Sequence, residues 1–79
     1  MEWIAVESSA ISTLGYEADR RRLGIEFRES RLVYFYSAVP RWEFEEFLKA
    51  DSKGRYLTQV FLPKKYPYSG PYPSRTQAA

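Results

Sequence analysis

The chain has 79 residues, 18% of them aromatic and 28% charged, with a net charge of +2. That length makes one small domain, which buries only about 60% of its unfolded surface and leans on large rings to fill its core. Cysteine and histidine are both absent. Their absence excludes disulfides, thiolate or imidazole metal sites and Ser-His or Cys-His nucleophile pairs, so no catalytic residue, metal or cofactor is expected.

Residues 1–10 place apolar Trp3, Ile4 and Val6 between charged Glu2 and Glu7, and Ser8-Ser9 offers hydroxyls to cap a turn. A short extended segment and a turn are expected there. Residues 11–17 read as a strand with Leu14 and Tyr16 on one face, and Gly15 marks a close backbone approach or a bulge. Residues 17–22 are polar and form a loop. Leu23 to Arg28 alternates at period two, the pattern of a half-buried strand.

Leu32-Val33-Tyr34-Phe35-Tyr36 is the most strongly β-forming run in the chain. A tight turn at Glu29-Ser30 sets Phe27 opposite Leu32, Ile25 opposite Tyr34 and Leu23 opposite Tyr36. All six then share one face, and Gly24, Glu26, Val33 and Phe35 share the other.

Val39-Pro40 marks the change from strand to helix, because proline is well placed in a first helical turn. Phe44, Phe47 and Leu48 form a core stripe, with Trp42 on the far side and Glu43, Glu45, Glu46 and Lys49 on the remaining surface. Asp51-Ser52 and Gly54 end this helix. Ser52 caps a second one, in which Tyr56, Leu57, Val60 and Phe61 keep helical spacing and Pro63 closes the element.

Residues 66–73 alternate tyrosine with proline and read as extended, polyproline-like or disordered, and 74–79 as a frayed end. The predicted fold is α+β: a three-stranded antiparallel meander with two short helices packed on one face. The domain spans residues 1–65, with a Tyr/Pro-rich tail over 66–79.

Several motifs occur in a recognisable order: Ser8-Ser9-Ala10-Ile11, Leu14-Gly15-Tyr16, Leu23-x-Ile25-x-Phe27, Tyr34-x-Tyr36-x-x-Val39-Pro40 and Ser52-Lys53-Gly54-Arg55-Tyr56. Together they resemble the KTSC domain, a small bacterial domain found alone and at the C-terminus of some lysyl-tRNA synthetases. The resemblance covers roughly Val6 to Tyr68. It implies an RNA-related role by analogy with the synthetase. After the Ser-Lys-Gly-x-Tyr motif the family usually continues Phe-Asn, where this chain has Leu57-Thr58 and a less basic helix.

Two binding surfaces follow from the residues. Arg20, Arg21 and Arg22 with Lys53, Arg55, Lys64 and Lys65 offer a basic edge for the backbone of RNA or another nucleic acid. The competing reading is a solvated loop, since ten acidic residues nearly balance twelve basic ones. Val33, Phe35 and Trp42, predicted to face outward, offer a surface for self-association or a protein partner, unless the Trp3 segment or the Tyr/Pro tail folds back over them. Tyr34, Tyr36, Val39 and Pro40 are expected to be structural, the two tyrosines flooring the core rather than stacking bases. Glu43, Glu45 and Glu46 read as a solubilising helix face. With no apolar run long enough for a signal peptide or a membrane span, a cytoplasmic, non-catalytic module with no membrane contact is expected.

Overall fold

The computed structural model describes residues 1–74. Five strands form one antiparallel sheet in chain order: β1 (Glu2–Ala5), β2 (Ile11–Glu17), β3 (Arg22–Phe27), β4 (Leu32–Tyr36) and β5 (Tyr68–Pro73). Helix α1 (Arg41–Lys49) is followed by α2 (Lys53–Tyr56), which continues as a π-helical stretch (Leu57–Phe61) and a 3-10 turn (Leu62–Lys64). The class is α+β, as the sequence predicts, but the sheet has five strands rather than three.

The central hairpin follows from side-chain alternation. Leu23 faces Tyr36 and Ile25 faces Tyr34, while Gly24 faces Phe35 and Glu26 faces Val33. The connecting loop is wider than a two-residue turn. Arg31 takes a left-handed φ of 60°, and its N–H donates to the Phe27 carbonyl at 3.0 Å. This widening leaves the register unchanged, because one buried face fixes it.

The two additional strands come from the ends of the described chain. β1, four residues long, is the short extended segment expected near the start of the chain, and it joins the sheet by pairing with β2 from Glu2↔Tyr16 to Ala5↔Thr13. The segment read as a tail supplies β5, which pairs with β4. Pro71 and Pro73 cannot donate to a ladder, and an edge strand needs bonding on one side only. A bulge between the Val33 and Phe35 pairings accommodates the misfit, and Gly70 sits there at φ 121°. The expectation of a frayed end falls mostly on residues 75–79, outside the described residues.

On the helix side of the sheet, Ile11, Leu14, Tyr16, Leu23, Ile25 and Tyr36 pack against Val39, Phe44, Phe47, Leu57 and Phe61. Tyr16 stacks on Phe44 at 5.2 Å, and its hydroxyl donates to the Val39 carbonyl at 2.6 Å, tying strand to helix entry. Pro40 is the N-cap of α1. At the other end Lys53 Nζ donates to the Leu48 and Ala50 carbonyls at 2.9 and 2.8 Å, satisfying acceptors that a helix terminus leaves open. Ser52 caps α2 as expected, its hydroxyl accepting from the Arg55 N–H at 3.2 Å. Thr58 Oγ1 bonds back to the Gly54 carbonyl at 3.2 Å, a contact that competes with the helix ladder where α2 loosens to π geometry.

The other sheet face is closed as well. Trp3 lies across Gly15 and Gly24, and a Cβ on either glycine would fall 2.6 and 2.5 Å from its indole. The Trp3 ring meets Phe35 edge-on at 6.1 Å, Tyr72 covers Phe35 at 5.8 Å, and the Arg22 guanidinium lies 4.8 Å above the same ring. Val33 is buried. Residues 3 and 72 therefore cover the patch that the sequence leaves outward.

Candidate ligand groove

The helices cover the β2–β3 half of the sheet and leave part of β4 open. Two hollows result, both walled by Tyr34 and Tyr36. One, of about 570 Å³, is lined further by Phe61, Leu62, Lys65, Tyr66, Pro67 and Tyr68. The other, of about 520 Å³, is lined by Ser9, Ala10, Phe27, Glu29, Ser30 and Leu32. Together they make an aromatic groove on the sheet face, interrupted by the two tyrosine rings.

Its wall is a chain of ring contacts: Phe27 to Tyr34 at 5.7 Å edge-on, Tyr34 to Tyr68 at 5.8 Å, Tyr68 to Tyr36 at 5.6 Å and Tyr36 to Phe61 at 4.9 Å. Burial raises the Tyr36 pKa, with the Tyr34 and Tyr68 phenols adding to the effect. Tyr36 therefore stays a neutral O–H at neutral pH. Tyr36 is core, as the hairpin register requires, whereas Tyr34 is half-buried and lines both hollows.

A buried carboxylate fixes one end of the groove. Glu43 is fully buried, which corrects its reading as a solubilising surface group. Its Oε1 accepts from Lys64 Nζ at 2.6 Å and from the Tyr66 hydroxyl at 2.8 Å, and its Oε2 accepts from the Tyr56 hydroxyl. Burial alone would push this carboxyl up, but the three donors outweigh it and hold the pKa below its ordinary value. Burial and the Glu43 charge raise the Tyr56 and Tyr66 phenols, Tyr66 to about 12. A wheel holds the missed signal. Glu43 lies one turn before Phe47, on the same stripe, where a carboxylate needs inward partners.

The expected basic edge is divided. Arg20 and Arg22 pair with Glu17 at 3.9 and 3.0 Å, Lys64 pairs with Glu43, and Lys53 caps α1. Arg21, Arg55 and Lys65 form no ion pair among the described residues. Arg20–Arg22 follow the end of β2. Gly54, between Lys53 and Arg55, packs beside Ala10 at its start. Seven residues of β2 at about 3.3 Å each put the two groups roughly 20 Å apart.

The apolar surface is likewise redistributed. Val33 is buried and Phe35 half-buried beneath Trp3 and Tyr72, so neither offers the open face that the sequence suggests. Trp42 is exposed as predicted, at 55%, with the Lys64 ammonium 4.8 Å from its ring. Val39 and Pro40 are structural, one in the core and one capping α1. Among the described residues no helix is long and apolar enough to cross a membrane.

Comparison with known proteins gives a consistent result. A crystal structure of a KTSC domain protein from Yersinia pestis superposes with a TM-score of 0.77 at 37% identity, covering 86% of this chain and 93% of that one. An uncharacterized protein of Stutzerimonas stutzeri is 41% identical over 68 residues, 86% of this chain and 94% of the relative. A protein of Tsukamurella paurometabola is 36% identical over 59 residues, 75% of this chain and 87% of the relative. The KTSC domain family model matches residues 7–66, which take in β2 to β4 and both helices and leave β1 and β5 outside. On the sequence match and the shared fold together, this chain belongs to the KTSC domain family.

Proposed function

We propose that the chain is a non-catalytic interaction module that receives an extended protein segment in the groove over Tyr34 and Tyr36. The observation that carries this reading is the open aromatic floor between two hollows. A sheet this small would gain stability by covering that floor, and the helices leave it open. Large, rigid rings with polar tips suit a contact surface, because they offer area at low entropic cost. Glu43, the buried carboxylate that holds Tyr66 at the end of the groove, already accepts from three donors, which suits anchoring rather than proton transfer.

A nucleic-acid ligand draws less support. Arg20–Arg22 and Lys53–Arg55 divide between the two ends of β2, and among the described residues Lys65 is the single cation lining either hollow. The rings also tilt against each other at 58° and 40°, which is a poor platform for parallel base stacking.

Amide-resolved NMR titration separates the two ligands. A pool of capped, unstructured peptides is expected to shift signals of Phe27–Leu32, Tyr34, Tyr36 and Lys65–Tyr68. A mixed-sequence single-stranded RNA is expected to leave these unmoved. RNA-induced shifts at Arg20–Arg22 or Lys53–Arg55 that fade steeply with salt, with no peptide effect, would replace this reading by the nucleic-acid one.

A further inference from the structure

Resting on the interaction-module reading, we propose that the segment the groove takes is a left-handed polyproline helix carrying a carboxylate where it passes Lys65. Three observations carry this assignment: the groove's position on the sheet, its unengaged hydroxyls and its charge.

The position excludes strand addition. β4 is flanked on both sides, by β3 and β5, so a ligand over Tyr34 and Tyr36 finds no free backbone ladder. An extended strand lying there would bring an N–H group at each residue over a largely aromatic floor that has no carbonyl ladder to accept them. A polyproline helix avoids that cost. It has no internal hydrogen bonds, keeps its backbone solvated and carries few N–H groups. Its three-residue turn also presents apolar ridges at a regular repeat, and the groove offers two hollows separated by a pair of rings.

The hydroxyls match the carbonyls of such a helix. Those of Tyr34, Tyr36 and Tyr68 make no hydrogen bond to another group among the described residues. By contrast Tyr16, Tyr56 and Tyr66 are each bonded to a protein acceptor. Burial and the neighbouring phenols keep Tyr36 protonated, hence a donor. Polyproline carbonyls are acceptors in need of donors.

The charges set which residue accompanies the prolines. Lys65 lines the first hollow and forms no ion pair, because the adjacent Lys64 is the one that reaches Glu43. Its backbone is fixed at a left-handed φ of 57°, closing the helical segment with an N–H to the Leu62 carbonyl at 3.0 Å. Glu29 lines the second hollow. An acidic group therefore fits at the Lys65 end and is repelled at the Glu29 end.

Binding of four probes tests this: a capped ten-residue peptide with a proline-rich core and one terminal Asp, its Asn counterpart, a Gly/Ser-core peptide with the same Asp, and a single-stranded RNA. The first is expected to bind best. The Gly/Ser core, which must be ordered on binding, is expected to be about tenfold weaker. The Asn peptide is expected to be about 3- to 5-fold weaker at low salt, with the gap closing at high salt. Lys65→Glu should reverse the preference of Asp over Asn. Tyr34→Phe, which keeps the ring and removes the hydroxyl, should weaken the first peptide by about 3- to 10-fold at an unchanged melting temperature. Equal binding of proline and Gly/Ser cores at the groove overturns the polyproline assignment and leaves the interaction module standing. Equal binding of Asp and Asn peptides at low salt overturns the carboxylate. A groove perturbed by RNA alone, or by no peptide of any composition, overturns both readings.

Discussion

Gly15 and Gly24 are the residues on which the second sheet face depends. They face each other across β2 and β3, and Trp3 lies in the trough they leave, its ring continuing to Phe35. The sequence marks Gly15 for a close backbone approach or a bulge, and the first holds, since the bulge in β2 falls between Ile11 and Thr13. It does not say what approaches, because Trp3 is twelve positions away and nothing local says that its extended segment pairs with β2. A methyl at Gly24 would sit 2.5 Å from Trp3 and 3.2 Å from Phe35, so the indole or β1 must move. Gly24→Ala is therefore expected to cost about 1–3 kcal/mol of stability through overpacking. In a Trp3→Ala background the same change should cost much less, since the clashing ring is gone. Denaturant melts of the two single variants and the double variant check this. Additive losses would show that Trp3 does not occupy the trough.

At the scale of elements, the parts legible in the sequence are those whose own pattern determines them. Leu23 to Phe27 and Leu32 to Tyr36 alternate, so their pairing follows before any tertiary contact is known. Ser52 and Pro40 delimit the helices for local stereochemical reasons. β5 reads in the sequence only as extended, polyproline-like or disordered chain. Its prolines argue against an inner strand, and nothing local says that it will meet β4. The groove was not legible either: it exists because the helices stop short of Tyr34, a matter of packing rather than of motif. Gly70 makes the β5 pairing possible. Its φ of 121° is outside the range of ordinary residues, and a Cβ there would meet the Val33 carbonyl oxygen at 2.9 Å. Gly70→Ala should loosen β5 by about 1–3 kcal/mol. The readout is faster amide exchange at Ser37 and Ser74, whose N–H groups bond Pro67 and Arg31 at 2.7 and 3.0 Å. Exchange at Leu14 and Ile25 in the central strands should change far less. Uniform acceleration throughout the sheet would mean that β5 opens only with the whole domain.

The whole molecule is clasped at Glu43, where α1, the end of α2 and the segment leading to β5 meet on one carboxylate. A domain of 79 residues has a net stability of only about 5–10 kcal/mol, so one such node weighs heavily. It also makes stability depend on pH at both ends. The folded state lowers the Glu43 pKa, so folding favours the carboxylate. That contribution is complete above the ordinary carboxylate range and is lost as pH falls through the folded value. The folded state raises Tyr36, Tyr56 and Tyr66, the last from 10.0 to about 12, so folding favours the phenols. Their contribution is complete below their ordinary value and is lost as pH rises through the raised ones. Glu43→Gln keeps the shape and loses the charge, and at pH 7 is expected to cost about 1.5–3 kcal/mol, a drop in melting temperature on the order of 10 °C. The difference between wild type and this variant should shrink steadily as the buffer is taken from about pH 5 toward pH 2, because the native carboxyl is then protonated as well. Tyr66→Phe, by the same logic, should remove part of the destabilisation seen above about pH 10 and also lessen the acid-side loss, because Glu43 then keeps two of its three donors. A Glu43→Gln deficit that stays constant from neutral to acid pH would mean that the three donors hold the side chain by shape alone, and that its charge does not bind α1 to the end of α2 and the segment leading to β5.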